Sequence, residues 1–216
     1  MAKVTITNIK EELVTFLRNN DVLSISERGV TTVTDESFTA AGGIKTFTLA
    51  NTTLKNVRTV KVDSVVQTFG TEYTTAYPTA IITIPGVSDG ETVEITYDYG
   101  TTDRIFPDYP QPTLRLSSFP RLTVDIISGT TTEQSLGGLS NNTDYTMSVI
   151  AYHTSLDSVE SLVDTIRQKF LDNKKTFFYS TFITPTSMGP RIPSPFGEVK
   201  VFQRNQDFNI RFIFET

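Results

Sequence analysis

Two stretches of the chain space their apolar residues as a helix does, and most of the remainder alternates as strands do. In residues 8–20, "NIKEELVTFLRNN", Ile9, Leu13, Phe16 and Leu17 fall on one helical face. Asn8 is placed to cap that helix, Glu11 takes the reciprocal capping-box position, and Asn19 and Asn20 favour its end. The second helix spans residues 155–172. Leu156, Val159, Leu162, Val163, Ile166 and Phe170 form its apolar stripe, and Asp157, Glu160, Asp164, Arg167 and Lys169 stay outside it. Thr154 or Ser155 caps its start, Asp157 suits the first turn, and Asn173 can end it.

Between these helices the period drops to two. Residues 21–35 alternate weakly and predict one or two short strands. Alternation then becomes continuous from 40 to 103. It runs from Val57 onward through "VRTVKVDSVVQTF", includes "AIITI", and places Val93, Ile95, Tyr97 and Tyr99 on one face. Asp89-Gly90, lying between two alternating runs, predicts a hairpin. The composition changes at Gly42-Gly43 and again over residues 100–112, which marks 40–103 as a small β-sandwich or barrel-like module.

A linker follows at 104–120. Pro107, Pro110 and Pro112 forbid helix there, and Phe106, Tyr109 and Phe119 are expected to lie against a surface. "RLTVDIIS" reads as a buried strand and "DYTMSVIAY" as the next. Residues 128–143, "SGTTTEQSLGGLSNNT", read as a long mobile hairpin tip between them. "TFFYSTFITP" and "EVKVFQRNQDFNIRFIFE" read as closing strands, the latter turning back in a hairpin around Asn205, with "TSMGPRIPSPFG" a proline- and glycine-rich loop. The expected fold class is α+β: an antiparallel or mixed sheet packed by two helices, with an inserted small β-sandwich-like domain. The expected division is 1–39 as the N-terminal part of the core, 40–103 as the insert, and 104–216 as the linker and the rest of the core.

Composition narrows the function. With 216 residues the chain has room for one large domain or two small ones. A formal net charge of −5 gives no basic face for gripping nucleic-acid phosphates. The absence of cysteine removes disulfides, thiolate nucleophiles and cysteine metal sites, and fits a reducing compartment. The N-terminal stretch lacks the apolar core of a signal peptide, and no run approaches the roughly 20 apolar residues of a membrane span. Asn51 and Asn141 match glycosylation acceptors by chance in a threonine-rich chain. The expectation is a soluble protein made in a cytoplasm, with no membrane partner.

Chemistry is sparse. The single histidine, His153, stands where a strand run meets a helical run, and Ser155 and Asp125 are the conceivable partners of a hydrolase triad. No G-x-S-x-G elbow is present, and Ser155 is better explained as a helix cap, so the junction reads as a scaffold corner. With one histidine and no cysteine only a carboxylate cage could hold a metal, and no D-x-D-x-D-G loop occurs. "GGIKT" at Gly42 lacks the spacing of a phosphate loop, and Asp35 with Glu36 reads as a solvated turn. Phe177, Phe178, Tyr179 and Phe182 have the types that stack on bases or sugars, but at strand spacing they read as core. No catalytic, cofactor-binding or metal residue is assigned, and the chain is not expected to be an enzyme. Loops rich in Thr, Gly and Pro and strands bearing Tyr and Phe point to contacts with other proteins.

With the β module set aside, the order is an N-terminal helix, "FPRLTVDII", a long tip, "DYTMSVIAY", an amphipathic helix, and a final pair ending "NIRFIFE". That order resembles the tail terminator (tail completion, head–tail joining) proteins of long-tailed bacteriophages. In that family a helix leads into a strand that often opens with proline and a basic residue, as Pro120-Arg121 does here. The resemblance covers about residues 1–30 and 114–216. The departure is the insert at 40–103, which looks like the β-sandwich decorations of phage virion proteins. The resemblance implies a homo-oligomeric ring, typically a hexamer, that caps the tail tube and docks to the head-side neck. It further implies a virion protein assembled in the host cytoplasm, with DNA passing through the lumen and no sequence-specific binding to it. The tail tube protein and the neck or head-completion proteins are the implied partners. A tail-associated β-sandwich that contacts host glycan or other tail proteins is the alternative.

Overall fold

The computed structural model describes residues 6–43, 45–76, 79–107, 119–133, 140–173, 182–196 and 199–215. The protein is mostly β, with antiparallel and mixed sheets and few helices. It divides into two compact units: residues 24–103, and residues 1–23 with 104–216.

The discontinuous unit is built on three long strands: β9 (Arg121–Glu133), β10 (Ser140–His153) and β13 (Val199–Glu215). They pair antiparallel with β10 in the middle. β8 (Ile105–Phe106) adds a short parallel pair to β9, while β11 (Phe182–Met188) and β12 (Ile192–Phe196) both pair with β13. Helix α1 (Ile6–Asn19) and helix α3 (Leu156–Asp172) share one apolar core with one face of this sheet. Met147, Val149 and Ala151 of β10 alternate into that core, as period two requires, with Leu122 and Val124 of β9 and Phe208 and Ile210 of β13. The α3 stripe is as expected: Val159, Leu162, Val163, Ile166 and Phe170 are buried. Phe170 links the layers, its ring 4.7 Å from Phe16 of α1 and 4.5 Å from Phe208 of β13. Each such fully buried side chain contributes about 1.5–3 kcal/mol relative to exposure.

Several expectations for this unit are corrected. α1 starts at Ile6, so Asn8 lies inside the helix rather than at its cap. β13 runs unbroken through Asn205, which pairs with Ile150; there is no hairpin there. Part of the proline-rich stretch before it is strand β12 instead of loop. Pro193 and Pro195 are tolerated because β12 lies at an edge, paired on one side only. The supposed mobile tip at 128–143 is largely ladder, with Ser128–Glu133 paired to residues 141–146. Threonines 130, 131 and 132 are β-branched and favour an extended backbone, which a count of polar residues does not register. Residues 134–139 of that stretch lie outside the described residues, as do Tyr109, Pro110, Pro112, Phe177, Phe178 and Tyr179. Phe182 is 40 % exposed, not core; its neighbour Ile183 is the buried residue.

The continuous unit begins sixteen residues before the predicted insert, at Ser24 (40 − 24 = 16). The misread segment is a one-turn helix, α2 (Ile25–Arg28), with a complete Ser24/Glu27 capping box. It is followed by β1 (Thr31–Thr39), which pairs along its length with β7 (Thr92–Tyr99). β1 therefore belongs to the continuous unit, not to the discontinuous one. β3 (Leu54–Val62) flanks β7 on its other side and carries β4 (Val65–Val66) at the edge. A second sheet has the order β2 (Thr46–Thr48), β6 (Ile81–Thr83), β5 (Thr74–Ala76). One apolar cluster joins both sheets, with Phe47 and Ile82 from one and Val57, Val60, Val93, Ile95 and Tyr97 from the other.

Asp89-Gly90 does not close a hairpin between the runs that flank it, because β6 and β7 lie in different sheets. The Gly90 N–H donates to the Ala40 carbonyl, and Gly90 holds a left-handed φ of 91°, so the pair turns the chain from one sheet to the other. The tight hairpin is elsewhere. Asp63 and Ser64, both at positive φ, connect β3 to β4 with a two-residue loop of the type I′ kind.

Candidate functional site

The strand–helix corner at His153 is built as a cap. His153 is the last residue of β10, and its Nδ1 accepts the Ser155 N–H at 2.9 Å. Ser155 is the N-cap residue of α3, yet its hydroxyl makes no capping bond; the imidazole satisfies a different group, the N–H of Ser155 itself. A triad would need the Ser155 hydroxyl on the ring and a carboxylate behind it. Asp125 instead pairs with the Lys10 ammonium at 2.9 Å and lies opposite Ser148, five residues or about 16 Å along the strand from His153. The three candidate residues are not assembled.

The other sequence-level candidates have structural partners. Asp35 sits at a bulge in β1 with φ 51° and bonds Lys61 at 3.0 Å. That Lys61 bond, with a second from Thr96, holds the Asp35 carboxyl below its ordinary value. Glu36 is no solvated turn residue. It accepts the Tyr97 hydroxyl at 2.5 Å and the Ala50 N–H at 3.0 Å, fixing the β1 edge against the core. Among the described residues no group of three or more His, Cys, Asp or Glu could hold a metal ion. No helix among them is long and apolar enough to cross a membrane.

What the long sheet offers is surface. Its strands outrun its helices: 14 residues of β10 span about 46 Å, against about 25 Å for the 17 of α3. Every described position of β9 from Ile127 to Thr132 is exposed. Ile127, the extra residue of a bulge between Ile126 and Ser128, is 60 % exposed. Gly129 stands opposite Tyr145, whose ring fills the space a side chain would need; a Cβ there would come within 2.5 Å of it. Because β8 pairs only with Leu122 and Thr123, the outer edge of β9 from Val124 to Glu133 has no strand on it among the described residues. Those ten positions contain neither lysine nor proline, the residues that usually blunt an edge.

The face of the sheet turned away from the helices is polar at its centre. Asp207 accepts from Ser148 at 2.8 Å, Asn205 at 2.8 Å and Ser187 at 2.9 Å, so its lone pairs are well occupied. Beside it lies a depression of about 230 Å³ lined by Asp125, Ile127, Ser148, Ile150, Gln203 and Asn205 among others. Gly189 is required there, since a Cβ would overlap the Asn205 amide at 1.7 Å. Farther along the same face, Arg121 and Thr123 are buried without hydrogen-bond partners for several of their polar atoms. Sequence reasoning missed them by reading "RLTVDIIS" as uniformly buried, although alternation sets Arg121 and Thr123 opposite Leu122 and Val124.

In the continuous unit the notable surface is an apolar hairpin. Val65 and Val66 are 64 % and 63 % exposed and Phe69 is 37 % exposed. The same unit holds a closed ionic knot. Arg28, fully buried, donates to Asp98 at 2.7 Å and to both oxygens of Asp103 at 3.3 and 3.2 Å. Asp98 also accepts from Arg58 and Thr32, each at 2.7 Å. Burial raises the Asp98 carboxyl, but the bonds from Arg58, Thr32 and Arg28 outweigh it and hold the group below its ordinary value. No protein-family model matches this chain, and no curated protein matches it.

Proposed function

We propose that this is a structural virion protein of a tailed bacteriophage, the tail terminator that forms a ring on the tail tube and joins it to the neck. In this reading the fold is an α+β core with an inserted β-sandwich-like domain, and the ring closes by head-to-tail contacts in which one flank of each subunit meets a different flank of its neighbour. The observation that carries the reading is the outer edge of β9, ten residues long and without lysine or proline. Such an edge is a template for a neighbour's strand or loop, and each further subunit covers one more. The helix-and-long-sheet order of the discontinuous unit supports it as well, since it follows the element order of the terminator family. The net charge of −5 keeps the lumen from holding DNA that passes through it.

Replacing Ile127 with lysine tests the reading, because an edge lysine opposes strand addition while leaving the core untouched. The expected result is a folded monomer that forms no ring on tail tubes in electron micrographs. Rings formed equally well by Ile127→Lys would remove the β9 edge from the assembly. A second reading, a tail-associated binding module for host glycan or another tail protein, is favoured by the exposed Val65, Val66 and Phe69. Changing Val65 and Val66 to aspartate separates the two, since ring formation survives under the first reading and surface binding is lost under the second.

A further inference from the structure

At one corner of the long sheet, on the face away from the helices, a positive charge is buried with no ion-pair partner among the described residues. Arg121 is 9 % exposed and Thr123 fully buried. They are two apart on β9 and so share a face. Arg121 Nε and Nη1 and the Thr123 hydroxyl oxygen have no hydrogen-bond partner among the described residues. Arg104, the residue before β8, accepts the Leu122 N–H on its carbonyl and donates its Nη1 to the Phe119 carbonyl at 2.9 Å. The Phe106 ring lies 4.2 Å from the Arg121 guanidinium carbon and supplies a cation–π contact. A ring face softens the loss of water without replacing hydrogen-bond acceptors. Burial lowers the Arg121 value, the Tyr152 side chain opposes that, and the Arg104 charge lowers it further; no carboxylate of the described residues figures among these influences.

We propose that this corner is a binding site for a carboxylate, held by the Arg121 guanidinium and the Thr123 hydroxyl. Two guanidinium nitrogens and a hydroxyl are donors in search of acceptors, which an oxyanion supplies. The Arg121 charge meets no carboxylate among the described residues, so a monoanion balances it; the neighbouring Arg104 is already engaged by the Phe119 carbonyl. Both residues are almost wholly buried, which suits a small group. This inference rests on the corner's own chemistry and stands apart from the virion reading.

The test is calorimetric unfolding of the full chain at constant ionic strength, with acetate replacing chloride. Acetate is expected to raise the transition of the wild-type protein by about 2–4 °C at saturation. Arg121→Met is expected to fold, to unfold no earlier than wild type in chloride, and to show no response to acetate. Thr123→Val, which keeps the charge, is expected to weaken acetate binding between about two- and tenfold. If Arg121→Met is destabilised or does not fold, the guanidinium already has a partner in its own chain and the proposal fails. If wild type does not respond to acetate, water alone occupies the corner and the proposal fails. If phosphate stabilises and acetate does not, the carboxylate assignment falls. The source of the group is read from dilution: acetate that weakens self-association identifies a neighbouring copy's side chain, and acetate that leaves it unchanged identifies a free small acid.

Discussion

Arg28 and Arg121 are both taken out of water, and the protein treats them in opposite ways. Arg28 meets two carboxylates and the knot is complete, with Arg58 and Thr32 occupying the remaining oxygen of Asp98. It cross-links the two ends of the continuous unit, residues 28–32 and 98–103, so its charges serve the fold. Arg121 has a ring beneath it and orphaned nitrogens. A buried charge that is fully paired reads as structure, and one that is not reads as a place kept for something else.

The sharpest way to break this comparison is Arg28→Met. It leaves Asp103 a buried carboxylate without its guanidinium and Asp98 held by Arg58 and Thr32 alone, and should cost about 3–5 kcal/mol in denaturant unfolding. The same pairing has a pH signature. Asp98 has its carboxyl depressed in the folded state, so its stabilisation is present above the ordinary value of about 3.9 and is lost as pH falls from there through the folded value. Acid titration should therefore weaken the continuous unit below about pH 4, and Asp98→Asn should flatten that slope.

In the discontinuous unit stability is expected to lie in apolar packing instead. Ile166→Ala removes a fully buried residue from the centre of the α3 stripe and should cost about 2–5 kcal/mol. A loss under half a kcal/mol would mean that the stripe does not pack on the sheet. Gly129→Ala drives a methyl into the Tyr145 ring and should cost about 1–3 kcal/mol, with faster amide exchange confined to residues 128–133 and 140–146. The smallest effect belongs to Arg121→Met, expected near zero in chloride with no carboxylate present. A loss comparable to that of Arg28→Met would erase the contrast altogether.

Much of the fold was legible where period and burial agree. The α3 stripe and the run Val93, Ile95, Tyr97 lie where their spacing puts them, and the acid–base candidates at His153 resolve into a capped corner. The errors have separate causes. Ser24–Arg28 is a single turn, shorter than a helical period can reveal, and its capping box was hidden in a weakly alternating stretch. Threonines 130–132 scored as loop because they are polar, although their branching favours the ladder they form. Asp89-Gly90 is a turn, as its residues require, but which strands a turn joins depends on which sheet each enters, and that is a long-range matter. Arg121 and Thr123 were in plain view, and only the placement of their neighbours shows that they lack partners.

The central claim is that the β9 edge is a seam between identical subunits. Native mass spectrometry of the purified chain across a dilution series tests it most directly. The account predicts a closed oligomer, typically of six subunits, that dissociates on dilution and is absent for Ile127→Lys. A monomer at every concentration for the wild-type chain, or an Ile127→Lys oligomer of unchanged mass, would contradict it.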